Sequence, residues 1–288
     1  MKKSRFTKLI TLSLAAGMVF TLAGCGGGDE EAGDKDITVI SREEGSGTRD
    51  AFTELSGVME DDVDRTVDTA EISNSTSVVL QSVVGNDAAI GYVSLGSLDD
   101  SVKAVKVDGA EATVDNVKSG DYKLQRPFNI VTKGELAELP QDFVDYIMSA
   151  EGQAIVEEEG YIMVADGAES YETKGLSGTI TLAGSTSVSP VMEVLADNYK
   201  KLNSGVTVEI QQTGSGAGIQ STIEGVCDIG MASRALEDEE AAEGLTSQEI
   251  ALDGIAVIVN SENPVEDLTM EQIMKIFIGE ITNWSELN

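Results

Sequence analysis

Three times in this chain a short run of β-branched and apolar residues ends in a turn of glycine, serine and threonine, and a helical pattern follows. Thr38-Val39-Ile40 leads to Arg42-Glu43-Glu44-Gly45-Ser46-Gly47-Thr48, and then to Ala51, Phe52 and Leu55 at helical spacing. The run 179–183 leads to Ala183-Gly184-Ser185-Thr186-Ser187, after which Val188, Val191, Met192, Leu195, Tyr199 and Leu202 form one stripe. The run 206–211 leads to Thr213-Gly214-Ser215-Gly216-Ala217-Gly218 and the segment 219–224. Strands alternating with helical patterns predict an α/β fold.

The rest of the chain extends the alternation. Val79, Leu80, Val83 and Val84 predict a helix, and the runs 88–93, 128–132, 226–231 and 255–259 predict strands. Phe143, Val144, Ile147 and Met148 predict a helix continuing through Ile155 to Gly160. Ile273, Ile276 and Phe277 share one face of a helix over 268–278. The polar, Gly-containing stretch 165–178 predicts a linker, after which the pattern restarts.

Each Gly/Ser/Thr turn leaves backbone N–H groups free at a helix N-terminus, beside hydroxyl donors. Orphan amides and the helix dipole favour an anion there, and glycine permits close approach. A single such turn is equally an ordinary helix cap. Three together, one with Arg42 beside it, point to an oxyanion site, and Ser233-Arg234 after the run 226–231 offers another hydroxyl and guanidinium. No turn ends in the Gly-Lys-Ser/Thr of a nucleotide-binding P-loop. The 214–218 turn lacks the last glycine of the dinucleotide fingerprint.

Composition narrows the chemistry. The chain has no histidine, which removes the Ser-His-Asp triad, Cys-His pairs and His-ligated zinc. Its formal net charge of -32 repels nucleic acid and suits a solvated surface. The two cysteines are Cys25 and Cys227, and Cys227 in its apolar run predicts a buried free thiol.

The N-terminus reads as a targeting segment. Basic residues within 1–8 precede the apolar stretch 9–23, too short for a stable membrane span. Leu22-Ala23-Gly24-Cys25 resembles the bacterial lipobox, which implies a signal peptide over 1–24, lipidation of Cys25 and a charged tether over 25–36.

At these motifs the chain resembles the phosphate-binding proteins of the bacterial phosphate ABC importer, the PstS family. Residues 178–288 (GSTSV, QQTGSGAGI, CDIGMASR, DGIAVIVN, IFIGEITNW) resemble the part that usually comes first. Residues 37–165 (REEGSGTRDAF, IGYVSLGS, RPFNIVTK, AEGQAIV) resemble the part that usually follows. The swapped order looks like a circular permutation; a truncated tandem array or misjoined gene is the rival explanation. The resemblance implies a two-lobe, periplasmic-binding-protein-like (type II) α/β fold with a two-strand hinge at Phe128–Thr132 and Ile255–Val259. One lobe is expected over 37–126 plus 263–288 and the other over 127–165 plus 176–262, with 166–175 joining the usual termini.

Carried over by motif, the resemblance implies that Arg42 pairs with phosphate, Ser46 and Thr48 donate hydroxyls, and Gly47 and Thr48 donate amides. From the other lobe it implies the Thr186 and Ser215 hydroxyls and the Ser187 amide, with Ser233 and Arg234 completing the set, although Arg234 reads equally as one half of a structural ion pair. Many family members carry an aspartate where this chain has Ser233-Arg234, so phosphate is less firmly implied over sulfate at that position. The expected function is an extracytoplasmic, membrane-anchored, monomeric solute-binding lipoprotein without cofactor or metal, delivering phosphate to ABC permease subunits. The alternatives are capture of sulfate, molybdate or an organic phosphate, a phosphate-sensing surface protein, and a surface phosphatase. The last is disfavoured by the missing histidine and the lack of metal-ligand spacing.

Overall fold

The strand-turn-helix units fold as parallel strands whose carboxyl ends open on neighbouring loops. The structure, a computed structural model, describes residues 35–287. The expected signal peptide, Cys25 and the tether up to residue 34 lie outside the described residues. The first elements are β1 (Thr38–Arg42), α1 (Gly47–Ser56), β2 (Met59–Glu60), β3 (Val63–Asp64), β4 (Glu71–Ser73), α2 (Thr76–Val84) and β5 (Ala89–Ser94). β6 (Val102–Ala104), β7 (Lys106–Val107), α3 (Val114–Ser119), β8 (Gln125–Lys133), α4 (Glu138–Ile147) and α5 (Ala150–Glu158) come next. Then follow β9 (Gly178–Gly184), α6 (Ser189–Leu202), β10 (Val206–Gln212), α7 (Ser215–Glu224) and β11 (Ile229–Ala232). The last are α8 (Asp238–Ala242), β12 (Leu245–Asn260), β13 (Asp267–Leu268) and α9 (Met270–Phe277).

The main sheet runs β10-β9-β11-β8-β12-β5-β1-β4, with β6 also on β12. At one end β10, β9 and β11 are parallel, and at the other β4, β1 and β5 are parallel. The antiparallel β8 and β12 join the two ends. β12 pairs with β8 from Leu245 to Gly254, then with β5 from Ile255 onward. The cores divide at the same place. Phe128, Ile130, Ile250 and Ala251 pack with α4, α5 and α6, whereas Leu124, Ile255, Val257 and Val259 pack with α1 and α9. The strands expected to form the hinge are therefore the ones that pass between the cores. The passage lies just before Phe128 and Ile255, where Arg126 and Asp253 face each other in the ladder.

The helix expected to run unbroken from Phe143 to Gly160 is two helices, because Ser149 accepts the Gly152 N–H at 3.2 Å and starts α5 afresh. Cys227 is half-buried in a bend before β11 rather than buried within a strand. Its thiol lies 3.5 Å from the Thr222 hydroxyl, and burial pushes its pKa up.

The stretch 166–175 has no regular structure, yet it is a pinned strap. Its anchor is Asp142 of α4, which is wholly buried. Tyr171 and Tyr199 donate to one carboxylate oxygen at 2.6 and 2.7 Å, and Lys174 lies 3.0 Å from the other. Asn203 in turn donates to the Tyr171 hydroxyl at 3.0 Å. Burial alone would raise the Asp142 pKa, but these hydrogen bonds and the Lys174 charge outweigh it and hold the carboxyl below 3.8. A depressed carboxylate contributes stability that is present above its unfolded value and lost as pH falls through the folded one. Asp142→Asn is therefore expected to cost about 3 kcal/mol at pH 7 in a urea melt. The gap between variant and parent should shrink as the melts are repeated towards pH 3; a constant gap would show that the carboxylate charge is not what pins the strap.

Candidate functional site

Carboxyl ends of parallel strands are where open α/β sheets place ligands. Here the loops after β1, β4, β9, β10 and β11 meet, and they bring the N-termini of α1, α2, α6 and α7 to one place. The local reasons are legible. Ser46 caps α1 and its hydroxyl oxygen accepts the Arg49 N–H at 3.4 Å, which leaves its own proton free to donate. Ser185 accepts the N–H groups of Ser187 and Val188 at 3.2 and 3.3 Å as the chain winds into α6. Gly184, at φ +144, lies where an added Cβ would run into the Met231 backbone, so β9 packs there only as glycine.

Arg42 is the centre of one cluster. It is 2% exposed although its guanidinium is charged. Glu43 holds Nε and Nη2 at 2.8 and 2.7 Å. The other edge reaches hydroxyls: Nη2 donates to Thr186 at 3.1 Å and Nη1 to Thr76 at 3.4 Å. Ser187 lies 2.8 Å from Thr48 and 3.1 Å from Thr76, oxygen to oxygen. Behind Arg42, Arg49 donates to its carbonyl at 2.9 Å and is itself held by Asp64 at 2.7 Å.

A second cluster adjoins it. Ser233 lies 3.0 Å from Ser185 and 3.3 Å from Ser215, and its N–H donates to the Ser215 hydroxyl at 3.2 Å. The Gly216 N–H donates to the Gly45 carbonyl at 3.0 Å, which stitches the α7 turn to the α1 turn. All the hydroxyl-bearing residues named here are buried. The structure thus brings together Arg42, Ser46, Gly47, Thr48, Thr186, Ser187, Ser215 and Ser233.

Arg234 is placed differently. Its Nε meets Asp50 of α1 at 3.0 Å, and Nη1 and Nη2 hold Glu240 at 2.7 and 2.8 Å. Every nitrogen of its guanidinium is engaged outside the hydroxyl clusters. Burial raises the Asp50 carboxyl despite the opposing pull of Arg234. Thr76 and Ser185 were not singled out from sequence. Ser185 sat inside a recognised turn, and Thr76 follows Ser73-Asn74-Ser75, a fourth hydroxyl-rich turn into a helix that contains no glycine.

The surroundings are consistent with anion capture. A groove of about 370 Å³ opens over Thr76 and Thr186, rimmed by the uncharged Ser75, Ser77, Ser97 and Gln212. A wider groove of about 480 Å³, between Ile130, Gln141, Val144 and Gln248, receives none of the clustered hydroxyls, and size alone does not make it the site. Hydroxyls and amides that now bond each other would each give a hydrogen bond to a tetrahedral oxyanion, with Arg42 supplying the charge.

Fold and site together define a solute-binding protein of the periplasmic-binding-protein class. The PBP superfamily domain matches residues 29–151 and 169–288. The phosphate-binding protein PstS 2 of Streptococcus agalactiae serotype V is 49% identical over 294 residues, covering 100% of both chains. Its namesake in Streptococcus pneumoniae serotype 4 is 45% identical over 290 residues, covering 98% of this chain and 99% of that one. The crystal structure of a phosphate-binding protein of a phosphate ABC transporter from Streptococcus pneumoniae TIGR4 is similar at a TM-score of 0.72 and 48% identity. It covers 88% of this chain and 100% of that one. The chain belongs to the PstS phosphate-binding proteins of the PBP superfamily.

Gly47 marks how tightly the two sides meet. A Cβ there would lie 2.5 Å from the Ser215 hydroxyl and 2.8 Å from that of Ser233. Gly47→Ala should hold the α1 and α7 turns apart, costing about 1–3 kcal/mol in a urea melt. A melt unchanged within error would mean the turns do not meet in solution as they do here.

Proposed function

We propose that this chain is an extracytoplasmic solute-binding lipoprotein that captures inorganic phosphate and delivers it to the permease of an ABC importer. The observation that carries the reading is the buried Arg42 guanidinium among hydroxyls drawn from loops on both sides of the β8–β12 passage. Phosphate would take charge-assisted bonds from Arg42 and amide N–H groups from Gly47, Thr48 and Ser187. Hydroxyls of Ser46, Thr48, Thr76, Thr186, Ser187, Ser215 and Ser233 would complete its shell. Arg234 serves beside the site, tying the Ser233 loop to Asp50 of α1. The lobes proposed are those set out from the sequence, except that β12 from Ile255 onward goes with the 37–126 lobe, whose core holds Ile255, Val257 and Val259; the chain is proposed to act as a monomer with its lipid at Cys25. No helix among the described residues is long and apolar enough to cross a membrane.

A permuted chain order is part of the proposal. Residues 35–37 lie against 282–284, with Ile37 N–H on the Thr282 carbonyl at 2.7 Å and Trp284 N–H on that of Lys35 at 3.0 Å. By the resemblance, those segments run continuously in the usual order. The full-length alignment to the Streptococcus agalactiae relative favours permutation over a misjoined gene.

A second reading, another tetrahedral oxyanion, rests on one observation. The carboxylate beside the hydroxyls, Glu43, has both oxygens on Arg42. Calorimetry on the mature protein with phosphate, sulfate and molybdate decides between the two. Phosphate should bind one-to-one and tightest, and no phosphate binding would overturn the proposal. Arg42→Ala should weaken phosphate by roughly 2–5 kcal/mol, because a desolvated anion loses its charged partner. Cys25→Ala should abolish incorporation of a labelled fatty acid and release the protein from cells; retention with label would remove Cys25 as the anchor.

A further inference from the structure

Arg126 and Asp253 form a buried ion pair that the proposed ligand contacts do not use. Their side chains are 2% and 0% exposed and face each other where β8 and β12 pass between the cores. Arg126 Nη2 and Nε donate to one Asp253 oxygen at 3.1 and 3.2 Å, and the guanidinium sits 5.3 Å from the Phe128 ring centre. Desolvation makes such a pair a poor source of stability, and well-packed apolar residues often serve as well or better. Its connections are therefore more informative than its energy.

Those connections run in two directions. Towards β5, the Ser94 hydroxyl donates to the other Asp253 oxygen at 2.9 Å, and the Gly96 N–H also bonds this carboxylate. Towards the candidate site, Arg126 Nη1 reaches the Ser233 carbonyl at 3.4 Å. Asn129, on the same strand, donates to the Arg234 carbonyl at 2.8 Å. Two side chains of β8 thus hold the backbone of the Ser233–Arg234 turn, whose hydroxyl lies against Ser185 and Ser215. Burial lowers the Arg126 pKa, and the Asp253 carboxylate opposes it.

We propose that Arg126 and Asp253 are positioning residues for the oxyanion site, fixing the Ser233 turn against Ser94 and Gly96 across the strand passage. The proposal rests on the phosphate reading above. The pair does not touch the ligand; it sets where the Ser233 hydroxyl stands when the two sides meet.

The test compares phosphate affinity by calorimetry with ligand-free melting temperature. Arg126→Met with Asp253→Leu replaces the pair by apolar side chains. It should melt near the parent temperature yet bind phosphate at least about tenfold more weakly, a split that a merely structural pair would not produce. Ser94→Ala leaves the ion pair in place but strips a donor from the buried Asp253 carboxylate, so it should lower the melt modestly and weaken phosphate about threefold or more in the still-folded protein, and it decides the matter if the double variant does not fold. Either folded variant binding phosphate as tightly as the parent overturns the inference. A parent that binds no phosphate overturns the underlying reading instead, and the inference with it.

Discussion

The arrangement of this molecule depends on keeping the Arg42 guanidinium charged and out of water. A buried cation is tolerated only when its donors are satisfied and a counter-charge is near. Glu43 provides the counter-charge on one edge, leaving the other edge to Thr76 and Thr186. Thr186 comes from the loop after β9 and Thr76 from the turn into α2, so satisfying Arg42 requires both ends of the sheet to be present at once. The same requirement explains why the hydroxyl clusters are continuous across the passage rather than confined to one side.

The two strands of that passage set how the sides can move. β12 is a single 16-residue strand that changes partner between Gly254 and Ile255, so it belongs to both cores. Its ladder with β8 is interrupted by a bulge between Glu249 and Ala251. Relative motion of the two cores must therefore be taken up in a short stretch of two hydrogen-bonded strands, which restricts it to bending and twisting about one place. Arg126 and Asp253 occupy that place, and Arg126 reaches the Ser233 carbonyl beside the hydroxyl clusters.

How much of this could be read from sequence follows from how local each interaction is. Gly45-Ser46-Gly47-Thr48 and Gly184-Ser185-Thr186-Ser187 announce themselves because capping and amide exposure are decided within one turn. The break at Ser149 is equally local, but an apolar stripe on both sides conceals it. Thr76 carries no glycine signal, and its importance comes from partners 34 and 110 residues away. Arg234 is the reverse case: its motif leaves ligand contact and ion pairing equally open, and the Asp50 and Glu240 carboxylates that engage its guanidinium are visible only once the chain is folded, Asp50 lying 184 residues away. The strap at 166–175 looked like a plain linker because Asp142 sits in the middle of a helix where a carboxylate is ordinarily solvent-facing.

A formal charge of -32 and an anion site are compatible because the two act at different ranges. Exposed carboxylates are screened over about 8 Å at physiological salt. Inside the site, the nearest dipoles are helix N-termini and hydroxyl protons, and the groove above them is rimmed by uncharged side chains. An arriving oxyanion meets the acidic surface as a weak, screened repulsion and the site as a set of close donors. Uncharged donors have a further consequence. Hydroxyl donors can be re-aimed by rotating O–H bonds, and the Arg42 charge has Glu43, Thr76 and Thr186 as partners within the protein itself. Donors that can turn to one another as readily as to an anion make release as feasible as capture, and a phosphate-binding transport protein needs both.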